Sequence, residues 1–423
     1  MSGAAKERAA DSERPTVLIA GGGTGGHVFP ALAVADALTR IADVRVVFVG
    51  TERGLEARVI PERGYALETL HVEPMKGGGA FRFLRGGAVA GAAAVRAAGL
   101  LRRVRPRVVL SVGGYAAGPV SLAAAAMRIP VTLLEPNAVM GFANRVLAPA
   151  CRRAYVAWLS AAGASTPRGA VRAFGVPLRE GFEASPYEVR GQAGASVRVL
   201  VLGGSQGAQA INERLPDAIA RAQRVHPALS VVHQTGRERE ADVRAAYERE
   251  GAKNVTVAAF LDDVAGAMRD ADVVVGRAGA STVAEISAVG RASILIPFPF
   301  AADDHQAKNA AALVSAGGAL AIRQEAADGV RLARELVLLF QEPERRAAMA
   351  EAARSVGRPQ AAAQVAADLR GLAGIVPRPL GPGPGKAGVG SRTVAEEAED
   401  LPDGRVVSYG RIEGRGQECF EVG

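Results

Sequence analysis

A glycine-rich turn set between a β-branched run and a helix-forming stretch occurs twice in this chain, and that repetition constrains the fold more than any other feature. Thr16–Ala20 runs into Gly21-Gly22-Gly23-Thr24-Gly25-Gly26-His27, followed by Pro30, an Ala/Leu-rich stretch to Arg40, and Val44–Val49. About 180 residues later, Val197–Leu202 runs into Gly203-Gly204-Ser205-Gln206-Gly207, followed by Ala208–Arg224 and Leu229–Gln234. Each block reads strand, glycine loop, helix, strand, which is a βαβ unit. Further buried-type runs follow: Val108–Val112 before Gly113-Gly114-Tyr115, Val131–Leu134, Asp272–Val275 before Gly276-Arg277-Ala278-Gly279-Ala280, and Ser293–Ile296 before Pro297. A repeat this long is not a solenoid unit. It predicts an α/β chain of two Rossmann-like, doubly wound domains facing a cleft, each binding ligands at the carboxyl ends of its strands.

The length, 423 residues, accommodates that plan. A composition of 49% hydrophobic and 22% charged residues excludes a wholly disordered chain. The reading divides the chain into a flexible N-terminus (1–14), a first domain (15–178), a second domain (179–375) and a tail (376–423). The hinge is placed near Phe174–Arg190, where Gly175-Val176-Pro177 and Ser185-Pro186 break the periodicity. Pro and Gly recur through Val376–Gly388 and an acidic cluster spans Glu396–Asp400, so the tail reads as mostly disordered. Cys151 and Cys419 form neither a disulfide framework nor a metal-binding spacing, which suits a reducing compartment. Met1–Arg14 lacks the apolar centre of a signal peptide. The longest apolar run, Ala116–Met127, falls short of the ~18–20 residues of a spanning helix. A soluble, cytoplasmic protein is expected.

The first loop satisfies G-x-G-x-x-G through Gly21, Gly23 and Gly26. Alone, that pattern suits any dinucleotide, phosphate or nucleotide-sugar ligand approaching a helix N-terminus, or merely a tight turn. An NAD site wants an acid about 20 residues on, and Glu52 lies 26 residues past Gly26. His27, at the loop–helix junction, is a candidate proton acceptor, since a helix N-terminus favours neutral imidazole. The second loop, with the Ser205 hydroxyl, is a second anion cradle. Arg277–Thr282 opens another helix, and Glu285, one turn in, has the chemistry to chelate the two hydroxyls of a ribose. Neither a P-loop nor a metal-ligand spacing occurs, and Asp303-Asp304-His305 reads as a solvated loop.

Taken together and in order, Gly21–Pro30, Gly113-Gly114-Tyr115, Glu135-Pro136-Asn137, Gly203–Gly207, Arg277–Glu285 and His305-Gln306 resemble the MurG family of glycosyltransferases, from about Thr16 to Leu372. The resemblance implies a GT-B fold and inverting transfer of N-acetylglucosamine (GlcNAc) from UDP-GlcNAc to lipid I, giving lipid II for peptidoglycan synthesis. It implies no catalytic metal and no cofactor. It places the UDP-sugar mostly on the second domain. Ser205 would face the diphosphate, Leu261 would lie beside the uracil, and Ala280, Ser281, Thr282, Val283, Ala284 and Glu285 would hold uridine and phosphate. Gln306 would read GlcNAc hydroxyls, and Thr24, Gly25, Gly26, Asn137 and Arg179 would reach across the cleft. His27 and Glu135 would be catalytic, and Gly113, Gly114 and Tyr115 would form the acceptor diphosphate site. Further cell-wall synthesis and division proteins are implied partners, with a location on the cytoplasmic face of the membrane. The family usually has His-Glu-Gln-Asn where Leu134-Glu135-Pro136-Asn137 stands, Asn where Val176 stands, and Ser where Ala278 stands. A UDP-GlcNAc epimerase, a glycolipid glycosyltransferase, an NAD-dependent oxidoreductase and a non-catalytic membrane-bound protein remain rival readings.

The net charge of +8 is unevenly spread. Between His71 and Arg107 stand eight basic residues and one acid, whereas 376–423 carries six basic and eight acidic residues. The basic stretch surrounds Phe81, Arg82, Phe83, Leu84 and Arg85, which read as a loop dipping into an anionic headgroup region rather than as a nucleic-acid patch.

Overall fold

The computed structural model describes residues 14–70, 93–114, 116–189, 196–204 and 207–378, together with two short strands at 397–400 and 406–409. Residues Met1–Arg378 form one compact unit containing two parallel sheets. The first sheet holds β1 (Thr16–Ala20), β2 (Arg45–Gly50), β3 (Ala66–Thr69), β4 (Val108–Ser111), β5 (Val131–Glu135), β6 (Arg153–Val156) and β7 (Val171–Arg172), in the order β3-β2-β1-β4-β5-β6-β7. Five helices accompany it: α1 (Gly25–Ile41), α2 (Glu56–Glu62), α3 (93–104), α4 (Ala117–Ala126) and α5 (Phe142–Leu147).

The second sheet holds β8 (Arg198–Leu202), β9 (Ser230–Gln234), β10 (Val255–Ala258), β11 (Val273–Gly276), β12 (Ala292–Leu295) and β13 (Ala319–Ala321), in the order β10-β9-β8-β11-β12-β13. Its helices are α6 (Gln209–Val225), α7 (Glu240–Arg249), α8 (Val264–Asp270), α9 (Ala280–Val289), α10 (His305–Ser315), α11 (Gly329–Gln341) and α12 (Pro343–Val356). A last helix, α13 (Ala361–Leu372), follows.

β1, β4, β5, β11 and β12 are buried along their whole length. Unbroken Val/Ile/Leu runs fit this position, because helices cover both faces of a parallel sheet. Alternate residues feed opposite faces. Val17 and Ile19 join one core cluster and Leu18 and Ala20 another. In the second sheet Val199 and Val201 face one core, Leu200 and Leu202 the other. Strand order reverses between β1 and β4, and again between β8 and β11. Each reversal opens a crevice at the strand ends. The paired glycine turns stand there: Gly21–Gly23 with Gly113-Gly114, and Gly203-Gly204 with Gly276–Gly279.

The structure changes three expectations. The helix expected to follow Pro30 starts at Gly25, so Gly25, Gly26 and His27 form its first turn. Pro30 is tolerated inside the helix, where its missing N–H simply forgoes one backbone bond. Second, α13, read as part of the second domain, packs on the first. Val365, Ala366 and Leu369 join the core cluster of Val17 and Leu38, and Asp368 accepts hydrogen bonds from Tyr155 Oη (2.8 Å) and Arg153 Nε (3.1 Å). The chain thus crosses between the halves twice, and the crossings touch. A side chain at Gly175 would meet Arg358 Cβ at 2.5 Å.

Third, the first unit continues past the expected boundary at 375. Pro377 bridges Ala42, and the Arg378 N–H donates to Ile41 O (2.8 Å). Residues Pro379–Gly423 form a separate unit, of which the described residues are β14 (Glu397–Asp400), paired antiparallel with β15 (Val406–Tyr409); the rest of the expected tail lies outside the described residues.

Candidate active site

The first glycine loop is held by a carboxylate. Glu56, only 2% exposed, turns back from α2 and accepts hydrogen bonds from Gly23 N–H (2.7 Å), Thr51 N–H (2.9 Å) and Thr51 O–H (2.8 Å). Burial alone would push its pKa up, but these donors more than offset it and hold the carboxyl below its usual range. Only glycine fits opposite it, since a side chain at Gly22 (φ +152°) would meet the Glu56 carboxyl carbon at 2.4 Å. Glu56→Ala should leave three inward-facing donors unpaired and cost at least about 3 kcal/mol. A thermal melt with a wild-type midpoint would count against this bracing role.

The second glycine turn packs onto the first, backbone to backbone. Gly22 N–H donates to Gly113 O (3.3 Å), and a side chain at Gly114 would meet Gly22 O at 2.6 Å. A side chain at Gly113 would meet His27 Nε2 at 3.3 Å, so the imidazole lies over this turn. His27 Nδ1 is 3.3 Å from Thr24 Oγ1. Burial lowers the His27 pKa, Glu135 opposes the shift, and His305 from the second half reinforces it. The ring therefore faces the cleft as neutral imidazole at pH 7, with the first-turn N–H groups of Gly25 and Gly26 beside it.

Glu135, expected to be catalytic, stands at the end of β5 behind the loop that carries Asn137. It is 2% exposed and accepts from Asn137 N–H (3.1 Å), Asn137 Nδ2 (3.1 Å), Gly141 N–H (2.9 Å) and Asn144 Nδ2 (3.1 Å). A buried carboxylate with four donors braces its loop. It orients Asn137 and supplies the negative field felt by His27. Pro136 and Leu134 are accommodated without a polar replacement: Leu134 is fully buried in the core beside β4.

Asn309, unnoticed in the sequence, joins the two halves. From α10 it accepts from Ala138 N–H (2.8 Å) and donates to Asn137 Oδ1 (3.3 Å) and Ala278 O (3.2 Å). Gln306, one turn earlier, accepts from Phe298 N–H (2.9 Å). The Asp303-Asp304-His305 side chains diverge. Asp303 pairs with Arg145 (3.3 Å), Asp304 with Arg323 (3.4 Å), and His305 Nδ1 lies 2.7 Å from Ala302 O.

A second cross-cleft contact runs through Arg179. Its guanidinium lies 5.0 Å from the Phe29 ring centre on α1 and 5.7 Å from that of Phe182, and its Nη2 is 3.8 Å from Glu285 Oε1 on α9. Burial pushes the Glu285 pKa up to about 7, and Arg179 only partly opposes it. Glu285 closes the segment Ala280, Ser281, Thr282, Val283, Ala284, Glu285, which forms the first turns of α9. Val283 faces the core, while Ser281 Oγ is buried without a hydrogen-bond partner. Unfilled N–H groups at a helix start have the polarity to receive an anion. Beyond Leu261, which packs against the second-domain core, a cavity of about 280 Å³ is lined by Arg179, Phe182 and Asp262–Ala265.

The structure thus gathers Thr24, Gly25, Gly26, His27, Gly113, Gly114, Glu135, Asn137, Arg179, Ala280–Glu285 and Gln306 around one cleft. Ser205, Tyr115 and the loop Phe81–Arg85 lie outside the described residues. Among the described residues, no helix is long and apolar enough to cross a membrane.

Residues 17–156 match the family model of the glycosyltransferase family 28 N-terminal domain, and residues 198–365 that of the family 28 C-terminal domain. The UDP-N-acetylglucosamine--N-acetylmuramyl-(pentapeptide) pyrophosphoryl-undecaprenol N-acetylglucosamine transferase of Sorangium cellulosum is 56% identical over 362 residues, which cover 85% of this chain and 88% of that protein. The enzyme of the same name from Acidithiobacillus ferrooxidans is 46% identical over 83% of this chain and 96% of its own. The crystal structure of Acinetobacter baumannii MurG superposes with a TM-score of 0.67 at 30% identity, covering 84% of this chain and 99% of that one. Two parallel-sheet domains meeting at such a cleft form a GT-B fold. With both halves matched in order and this identity sustained across them, the chain belongs to the MurG family of glycosyltransferases, within glycosyltransferase family 28.

Proposed function

We infer that this chain is the hexosyltransferase that moves GlcNAc from UDP-GlcNAc to the MurNAc 4-hydroxyl of undecaprenyl-pyrophosphoryl-MurNAc-pentapeptide, lipid I, giving lipid II in peptidoglycan synthesis. The observation that carries the reading is the 56% identity to a transferase named for that reaction, sustained across both halves of the cleft. The geometry supplies the chemistry. The N-termini of α6 and α9 and the Gly203–Gly207 turn meet the negative charge that grows on the departing UDP. Glu285 takes the ribose hydroxyls, with Arg179 beside it. Gln306 and Asn137 read the sugar, and Leu261 borders the base. Ser205 faces the diphosphate.

From the first domain, Gly113, Gly114 and Tyr115 take the acceptor diphosphate. Neutral His27 accepts the proton of the 4-hydroxyl as that oxygen attacks the anomeric carbon from the face opposite UDP, inverting it. The first domain (15–178) is the acceptor half and the second (179–375) the donor half. The basic stretch 71–107, with Phe81, Arg82, Phe83, Leu84 and Arg85, rests on the anionic cytoplasmic surface of the membrane, where a lipid-linked acceptor is presented.

Incubating the protein with UDP-GlcNAc and a lipid I analogue should give the disaccharide product and UDP release that depends on the acceptor. UDP release indifferent to acceptor, or no disaccharide, would overturn the reading.

A further inference from the structure

Beneath the second glycine loop lies a polar chain that the catalytic cleft does not use. His233 on β9 is fully buried, within a core otherwise built from Val199, Val201, Val231, Val257 and their neighbours. Its Nδ1 is 3.0 Å from Tyr247 Oη on α7, and its Nε2 is 3.1 Å from Asn212 Oδ1 on α6. Asn212 Nδ2 donates to Thr235 O (3.0 Å), which assigns Oδ1 as the acceptor facing His233. The proton therefore sits on His233 Nε2, and Nδ1 accepts from the Tyr247 hydroxyl. Burial holds the pKa at about 3, so the ring stays neutral.

The chain ends where the glycine loop begins. A side chain at Gly207 (φ +77°) would meet Thr235 O at 2.6 Å and Asn212 Nδ2 at 3.8 Å. A side chain at Gly203 would meet Gln234 O at 2.8 Å, and Gly203 N–H donates to that carbonyl (2.9 Å). Both ends of the loop thus rest on the 234–235 backbone, and Asn212 holds the carbonyl under Gly207. Apolar residues of matching shape would serve stability equally well in such a core. What the polar chain adds is direction, because each hydrogen bond admits one arrangement.

We propose that His233, clamped between Tyr247 and Asn212, is a positioning residue that fixes the seat of Gly207 and so the geometry of the donor diphosphate loop. This rests on the reading that the Gly203–Gly207 loop takes the UDP diphosphate. Steady-state kinetics on the full chain with UDP-GlcNAc and a lipid I analogue test it. His233→Asn places an amide near Nδ1 and abandons Asn212. It should raise KM for UDP-GlcNAc about tenfold, with kcat and the acceptor KM within about twofold. His233→Gln places an amide N–H near Nε2 and should restore KM to within about twofold of wild type. Tyr247→Phe keeps the core shape, removes the hydrogen bond at Nδ1 that holds the ring's angle toward Asn212, and should also raise the donor KM, which covers the case that His233→Asn does not fold. An unchanged donor KM in His233→Asn or Tyr247→Phe, or the same rise in His233→Gln as in His233→Asn, would overturn the proposal. Failure of the wild-type protein to use UDP-GlcNAc would instead overturn the donor reading.

Discussion

Replacing His27 with alanine is expected to lower kcat by between about 10² and 10⁴, the usual contribution of a positioned general base, while UDP-GlcNAc binding stays within a few-fold of wild type. The split follows from where the ring stands. It belongs to the first turn of α1 and lies over Gly113, on the acceptor side, while Glu285 and α9 lie across the cleft. Because burial lowers the His27 pKa, the acid limb of kcat at saturating UDP-GlcNAc should fall below the imidazole's ordinary 6.5. That limb should vanish in the variant. Unchanged turnover in His27→Ala, or an acid limb that survives, would remove His27 from the proton transfer.

The second large effect concerns Glu285. Its carboxyl titrates near 7 in the free protein against an ordinary 4.5, because burial outweighs the Arg179 charge 3.8 Å away. Ribose hydroxyls donate to the ionised form, so donor binding must remove the proton below pH 7. The KM for UDP-GlcNAc should then fall with rising pH by up to about tenfold per unit between pH 5 and 7, and level off above. Glu285→Gln should raise that KM about a hundredfold, the worth of charge-assisted hydrogen bonds, and flatten its pH dependence.

Stability should move the other way. Between pH 4.5 and 7 the folded free protein holds a proton that the unfolded chain has released. The unfolded state binds fewer protons there, so folding stability falls as pH rises through that window. Glu285→Gln removes this contribution and should be more resistant to denaturant than wild type above pH 7. A donor KM that is flat with pH in the wild type would show that the ribose does not meet this carboxylate.

The central strands were legible to within a residue or so, from unbroken Val/Ile/Leu runs: Thr16–Ala20 stands where it was read, and Val131–Leu134 extends only to Glu135. The strands that went unread include β3, β7, β10 and β13, the sheet edges, each of two to four residues. Partly exposed at the edge, they lack the Val/Ile/Leu run that marks the equally short central strands β4, β11 and β12. In the cleft, the glycine turns, His27 and Glu285 were visible because loop chemistry is local. Glu56, Asn144 and Asn309 were not, because each has a partner 33 or more residues away: Gly23 for Glu56, Ser111 for Asn144 and Asn137 for Asn309. One clue to Glu56 was available: Gly50 and Gly54 flank it, and the carboxylate fills the space that both glycines leave.

The amino-acid order alone determines that strands end in glycine turns and that helices begin there, because φ/ψ freedom and apolar runs act over a few residues. It does not determine what each carboxylate does. Glu56, Glu135 and Glu285 all stand near strand ends or helix starts. Folding surrounds the first two with N–H donors, from Gly23 and Thr51 for Glu56 and from its own loop and α5 for Glu135, and leaves Glu285 with one loose guanidinium partner. A carboxylate saturated by protein donors braces a loop, whereas one buried with too few keeps acceptor capacity free, which is what the proposed ribose contact of Glu285 needs. The donors to Glu135 are local in the chain, but the burial that makes each donor count, and the Gly23 N–H on Glu56, come only with the tertiary packing.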